Sequence, residues 1–76
     1  MTAKPVDVVR ALAAALPEWI VTYHTIEDSV LGLRPVAIVI DDVGRESWVY
    51  LDVSIEADST ASADEVAQNI MDAGWS

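Results

Sequence analysis

The chain has 76 residues, no cysteine, and 13 acidic side chains against four basic ones, which gives a net charge of −9 at pH 7. Phosphate groups repel such a polyanion, so charge-driven binding of DNA or RNA is excluded, and the lack of thiols excludes disulfides and thiolate metal sites. No stretch approaches the roughly 20 apolar residues that cross a bilayer, and the length predicts a single domain over residues 1–76.

The first predicted element is a helix over "PVDVVRALAAALP". Pro5 suits the first turn of a helix, Asp7 suits the positive end of the helix dipole, and Pro17 ends the run. Apolar residues that recur at helical spacing predict its buried stripe, which consists of Val6, Val9, Leu12, Ala13 and Leu16.

Two predicted strands follow the helix. The β-branched and aromatic residues from Trp19 to Ile26 favour the first strand. "EDSVLGLR" indicates a connection, and the apolar run "PVAIVID" opens the second strand, with Pro35 at a strand start or on a sheet edge. Asp41, Asp42 and Gly44 then predict a turn in which the glycine takes positive φ.

A third strand is predicted over "SWVYLDVSIEA", residues 47–57, because apolar and other residues alternate along it. Its apolar face consists of Val49, Leu51, Val53 and Ile55.

The closing helix is predicted from its start, where Ser62 and Glu65 have the spacing of a capping box. Gly74 suits its end, where a left-handed conformation is common. The apolar side of this helix consists of Ala63, Val66, Ala67, Ile70 and Met71.

These elements predict an α+β fold of order α-β-β-β-α, in which both helices pack on one face of a three-stranded antiparallel sheet. The other face then has no cover. Trp48 and Tyr50 are expected on that uncovered face, together with Trp19, Val21 and Tyr23, or with Val39 of the middle strand. Exposed aromatic residues in one patch commonly mark a protein interface. The alternative is that a helix, or the tail with Trp75, covers them; Trp75 itself is either a docking anchor or packs on its own domain.

Three groups of residues could form a chemical site, and each also has a simpler structural interpretation. Ser29 follows an acid, as the modified serine of an acyl carrier protein does, but Gly32 and Pro35 oppose the helix that such a serine should open. His24 is the only histidine, and the spacing brings no orienting carboxylate to it. On a strand it shares a face with Ile20, Thr22 and Ile26, so a half-buried structural role is predicted. The acids around the turn have neither the spacing nor the length of a calcium loop; they are Asp41, Asp42, Glu46 and Asp52. We therefore expect no enzyme, cofactor or metal.

The order of elements resembles the double-stranded RNA-binding domain, whose last helix begins with lysines that hold phosphate; the corresponding segment here is "SADE". The opening "VRALAAALPEW" and the later "VYLDVSIEADSTASADEVAQNIMDAG" resemble small phage neck and tail-completion proteins. That resemblance implies a structural virion subunit that acts in a ring and carries no catalytic residues.

Two main functions remain open at this point, with a carrier protein modified on Ser29 as a minor alternative. The first is a non-enzymatic structural or adaptor subunit that assembles with itself or with a larger protein through the Trp48/Tyr50 sheet face or an open strand edge. Its interface residues are predicted to be Trp48, Tyr50, Trp19 and Trp75. The second is a small acidic phage-type inhibitor that mimics DNA in a basic groove of a host protein. Its charge would come from Glu18, Glu27, Asp28, Asp41, Asp42, Glu46, Asp52, Glu56, Asp58, Asp64, Glu65 and Asp72. Either protein is expected in the host cytoplasm or the virion, without a signal peptide, a membrane contact or direct nucleic-acid binding.

Overall fold

The computed structural model describes residues 2–74 and has the predicted α+β architecture, with one helix more than expected. Its order is α-β-β-β-α-α, and the three strands form one antiparallel sheet with β2 in the centre. The elements are α1 (Pro5–Ala15), β1 (Ile20–Asp28), β2 (Gly32–Ile40), β3 (Glu46–Tyr50), α2 (Leu51–Ala57) and α3 (Ala63–Ala73). Among the described residues, no helix is long and apolar enough to cross a membrane.

The connection between β1 and β2 is much shorter than predicted. β1 continues to Asp28 and β2 begins at Gly32, so that only residues 29–31 lie between the strands. The Asp28 carboxylate closes this turn by accepting hydrogen bonds from the backbone N–H groups of Val30 (2.8 Å) and Leu31 (3.0 Å). The second turn is as predicted: Gly44 has a φ of 88°, and its N–H donates to the Asp41 carbonyl.

The prediction of a strand over residues 47–57 is wrong beyond Tyr50, where the chain turns into α2. Pro35 on the neighbouring strand gives the physical reason. The Asp41 N–H donates to the Arg45 carbonyl at 3.0 Å, and hydrogen-bonded pairs then recur at every second position of the β2–β3 ladder. The next such pair after Ala37 and Val49 would join residue 35 to residue 51, but proline has no N–H to donate.

The same pairing explains why Pro35 is tolerated inside the central strand, although it was expected at a strand start or an edge. Its missing donor faces the β3 side of β2, at a level where β3 has already ended, so no ladder hydrogen bond is lost. Leu51 and Ile55 are buried, as the strand pattern also required, but they lie one helical turn apart on α2, whereas Val53 is 57% exposed.

The core lies between the helices and one face of the sheet. On α1 the buried residues are Val8, Val9 and Leu12; Val6 and Ala13 are exposed, so the predicted stripe was wrong at these two positions. The capping box of α3 is confirmed, with the Glu65 N–H donating to Ser62 Oγ at 3.2 Å. The predicted apolar side of α3 is confirmed as well, because it packs against the residues of this core.

The strand register assigns each residue of the sheet to one of two faces. Ala37 pairs with Tyr23 and Val49, and Val39 pairs with Val21, so that all of these odd-numbered positions lie on the helix-covered face. The expectation that Val21, Tyr23 and Val39 share a side with Trp48 and Tyr50 is therefore wrong. The even-numbered positions form the opposite face, on which Trp48 pairs with Ile38, and Ile38 pairs with Thr22.

Candidate protein interface

The side of the sheet away from the helices carries a contiguous patch that combines apolar and aromatic groups, which we call the open face. Its members project from all three strands; its exposed large apolar and aromatic side chains are Ile20 at 59%, Trp48 at 50% and Tyr50 at 39%, whereas Val36 in the middle of the central strand is fully buried. The open face consists of Ile20, Thr22, His24, Ile26, Val36, Ile38, Ile40, Trp48 and Tyr50.

One hydrogen bond and one cation–π contact orient the two aromatic side chains of the open face. The Trp48 Nε1–H donates to Glu46 Oε1 at 3.2 Å, which satisfies the indole without burying it. The Tyr50 ring lies under the Arg34 guanidinium, whose Cζ is 4.4 Å from the ring centroid, within the range of a cation–π interaction. Both rings are thus oriented before any partner binds, which reduces the entropy lost on binding.

Arg34 also joins β2 to the start of α2. Its Nε donates to Asp52 Oδ2 at 2.9 Å and its second terminal nitrogen donates to Asp52 Oδ1 at 3.2 Å, which is the bidentate geometry that a guanidinium favours. A weaker ion pair links it to Asp28 at 3.9 Å. The hydrogen bond from Arg34 lowers the pKa of Asp52 below its ordinary value and outweighs the opposing effect of burial. The same hydrogen bond raises the pKa of Arg34.

His24 lies on the open face and is exposed, so the prediction of a half-buried histidine is wrong. As predicted, it shares its face with Ile20, Thr22 and Ile26. Its Nε2 is 2.8 Å from the Thr22 hydroxyl oxygen, and no carboxylate within residues 2–74 hydrogen-bonds to the ring.

The predicted interface residues are only partly brought together. Trp48 and Tyr50 lie side by side on one strand, as expected. Trp19 precedes β1 in the turn after α1, where its N–H donates to the Leu16 carbonyl at 3.1 Å, so it lies outside the strand register of the open face. Trp75 lies outside the described residues. The sequence interpretation missed the contribution of Thr22 and Ile38, which the alternation along each strand would have identified once the register was known.

The other chemical candidates are engaged in local structure. Ser29 is an exposed turn residue and does not open a helix. Asp41 accepts backbone N–H bonds from Val43 and Arg45 and pairs with the Arg45 guanidinium at 3.1 Å, while Asp52 is held by Arg34. Among residues 2–74, no three histidine or acidic side chains lie close enough together to hold a metal ion.

The charges of the protein lie largely off the open face. Only Asp28, Glu46 and Asp52 occupy its ends, and two of these three pair with Arg34. Acids that form no ion pair within the described part of the chain are concentrated elsewhere, on turns, on the helices and near the end of β1. These acids are Glu18, Glu27, Asp42, Glu56, Asp58, Asp64, Glu65 and Asp72.

The chain matches no protein-family model, no curated protein and no solved structure. Its function is therefore argued from its own surface.

Proposed function

We propose that this protein is a non-enzymatic assembly subunit whose open face packs against the open face of a second copy. One observation carries the proposal: the sheet face opposite the helix-covered core leaves Ile20 on one edge strand and Trp48 on the other half-exposed. Uncovered apolar patches of this kind are typical of protein interfaces.

The distribution of charge favours a second copy as the occupant. Two chains that each carry a net charge of −9 repel one another, so a self-contact requires a surface from which the acids are displaced. The open face meets that requirement, because Arg34 compensates two of the three acids at its ends.

The arrangement of side chains on the open face is also self-complementary. The aromatic residues Trp48 and Tyr50 lie on the β3 side, whereas the β1 side carries Thr22 and His24 between Ile20 and Ile26. A two-fold axis parallel to β2 brings the aromatic side of one copy over Thr22 and His24 of the other, with the two isoleucines on either side, and the contact is then isologous.

The size of the open face predicts a weak contact. Strands about 4.8 Å apart and up to about 30 Å long give a face of about 350 Å² in projection, well below the about 800 Å² per partner of a standard interface. A stable assembly would then need several such subunits with further contacts. A ring-forming structural component of a phage neck or tail, which the sequence resembles, is the setting that we propose.

The test is sedimentation of the full chain with and without substitutions on the open face. Trp48→Ala should weaken self-association by at least about tenfold, as expected for a tryptophan near the centre of an interface, while the circular dichroism spectrum stays unchanged. Ile20→Asp should do the same from the other side of the face. Val43→Asp is the matched control, because it adds the same charge at an exposed apolar residue in the β2–β3 turn. A wild-type chain that is monomeric at about 1 mM would contradict the proposal.

A second candidate is the acidic inhibitor that occupies a basic groove of a host protein. One feature favours it: residues 46–76 contain seven acids and no basic residue, which are Glu46, Asp52, Glu56, Asp58, Asp64, Glu65 and Asp72. Its affinity for a basic partner should fall steeply with salt, whereas the apolar self-contact should not weaken.

A further inference from the structure

One edge of the sheet, along β1, is free over the whole length of the strand. The strand order β1-β2-β3 leaves β1 (Ile20–Asp28) with no neighbouring strand on its outer side among residues 2–74. Natural proteins commonly protect a long exposed edge with a lysine, a proline or a bulge. β1 contains neither residue, and it pairs with β2 at every position without a bulge. An unprotected edge of this kind is a template for one more strand.

The backbone groups on this edge follow from the strand pairing. The Asp41 N–H donates to the Arg45 carbonyl, so the odd-numbered residues of β2 bond to β3 and the even-numbered ones bond to β1. Each even-numbered residue of β1 pairs with an even-numbered residue of β2. The N–H and C=O groups of the odd-numbered residues of β1 therefore point outward, and these residues are Val21, Tyr23, Thr25 and Glu27.

The acids of β1 lie at one end of the strand and determine the direction of an added copy. Residues 20–26 contain no acid, lysine or arginine, and Glu27 and Asp28 follow them. Two copies of β1 in parallel would place these acids side by side, which is destabilising. In an antiparallel pair of full overlap, the Asp28 residues of the two strands lie at opposite ends, about 27 Å apart along the strands.

We infer that β1 pairs with β1 of a second copy in antiparallel orientation, so that two sheets join into one continuous sheet. The register that pairs the whole strand places His24, the middle residue of Ile20–Asp28, opposite His24 of the second copy. Tyr23 of each copy then faces Thr25 of the other. Both side chains are exposed in the single chain, and a pair of an aromatic and a β-branched residue stabilises antiparallel strands.

This contact uses different groups from those of the open face. Pairing at the β1 edge engages backbone groups in the plane of the sheet, whereas the open face presents side chains perpendicular to that plane. One subunit can therefore make both contacts. The β1 edge supplies a further contact of the kind that a small open face needs for a stable assembly, but it does not depend on packing between open faces.

The chain contains no cysteine, so an introduced thiol reports on the register by disulfide formation. His24→Cys should cross-link two full chains on mild oxidation, because directly opposed residues of a non-hydrogen-bonded pair have Cα atoms about 4.5 Å apart, within disulfide range. Thr22→Cys is the matched control, since both residues are exposed on the same side of β1. Its two copies would lie about 14 Å apart, which is too far for a disulfide.

Electrophoresis without a reducing agent measures the result. A covalent dimer should form in His24→Cys and not in Thr22→Cys. The double variant Thr22→Cys/Ile26→Cys should form it again, because residues 22 and 26 of the two copies face each other in this register. Equal cross-linking of the two single variants, or no dimer in the double variant, would overturn the inference.

Two further changes, each combined with His24→Cys, separate the β1 edge from the open face. Thr25→Pro removes an N–H that points outward, so it should abolish the cross-link and leave the circular dichroism spectrum unchanged. Trp48→Ala, which targets the open face, should leave the cross-link unchanged. A cross-link that survives Thr25→Pro, or that is lost in Trp48→Ala, would contradict an independent edge contact. If Trp48→Ala instead has no effect on sedimentation while the cross-links form as expected, the open-face proposal fails and the β1 contact stands.

Discussion

At the scale of single residues, Arg34 links several parts of the fold through its side chain. It bonds both oxygens of Asp52, pairs with Asp28 and stacks on Tyr50, so one side chain joins β2, α2 and the open face. The sequence contains no sign of this role, because Asp52 is 18 positions away and the two meet only through the β2–β3 register.

The lowered pKa of Asp52 predicts how stability depends on pH. The folded protein holds this proton less tightly than the unfolded chain, whose ordinary value is 3.8, so the Arg34–Asp52 pair stabilises the fold above that pH. Its contribution is lost as the pH falls through the folded pKa. Asp52→Asn should therefore lower the melting temperature by about 5 °C at pH 7 but by much less at about pH 3.

The measurement is thermal unfolding followed by circular dichroism at both pH values. Asp42→Asn is the matched control, since Asp42 is an exposed acid that makes no hydrogen bond or ion pair within residues 2–74. An equal loss for Asp52→Asn at both pH values would contradict the role of the ion pair.

At the scale of the elements, the segment from Leu51 to Ala57 shows why local pattern is insufficient. Leu51, Val53 and Ile55 satisfy the period of a strand, while Leu51 and Ile55 alone satisfy the spacing of a helix. The absent N–H of Pro35 decides between them, because β3 cannot continue its ladder opposite a proline. The capping box of α3 could be predicted without knowledge of the strand pairing, because both of its partners lie within four residues.

Substitution at two neighbouring apolar residues distinguishes the helix from the strand. Leu51→Ala should cost about 2–5 kcal/mol of unfolding free energy, because the side chain is fully buried. Val53→Ala should cost less than about 0.5 kcal/mol, because it removes an exposed side chain. Urea unfolding measures both. In a continuous strand the two residues would share a buried face, so similar losses would contradict α2.

At the scale of the whole molecule, the protein is strongly acidic, but most of its acidic side chains lie outside the open face. Salt screens the repulsion between two copies, so it should not weaken a contact between their open faces.

Raising salt from about 0.05 M to about 0.5 M should leave self-association unchanged or strengthen it. Sedimentation equilibrium at the two salt concentrations measures this effect. Self-association that disappears at the higher salt concentration would contradict an apolar contact between open faces.

The amino-acid sequence by itself determined the α+β class, the first helix, the turn at Asp41–Gly44 and the capped last helix, because each depends mainly on interactions within a few residues. It also indicated that Trp48 and Tyr50 belong together, since they are two apart on one strand. Only the tertiary structure decided that these two share a face with Thr22, His24 and Ile38, because a pairing register joins residues far apart in the chain. The end of β3, the burial of Leu51 from a helix and the Arg34–Asp52 pair depend on the same register, which no local pattern encodes.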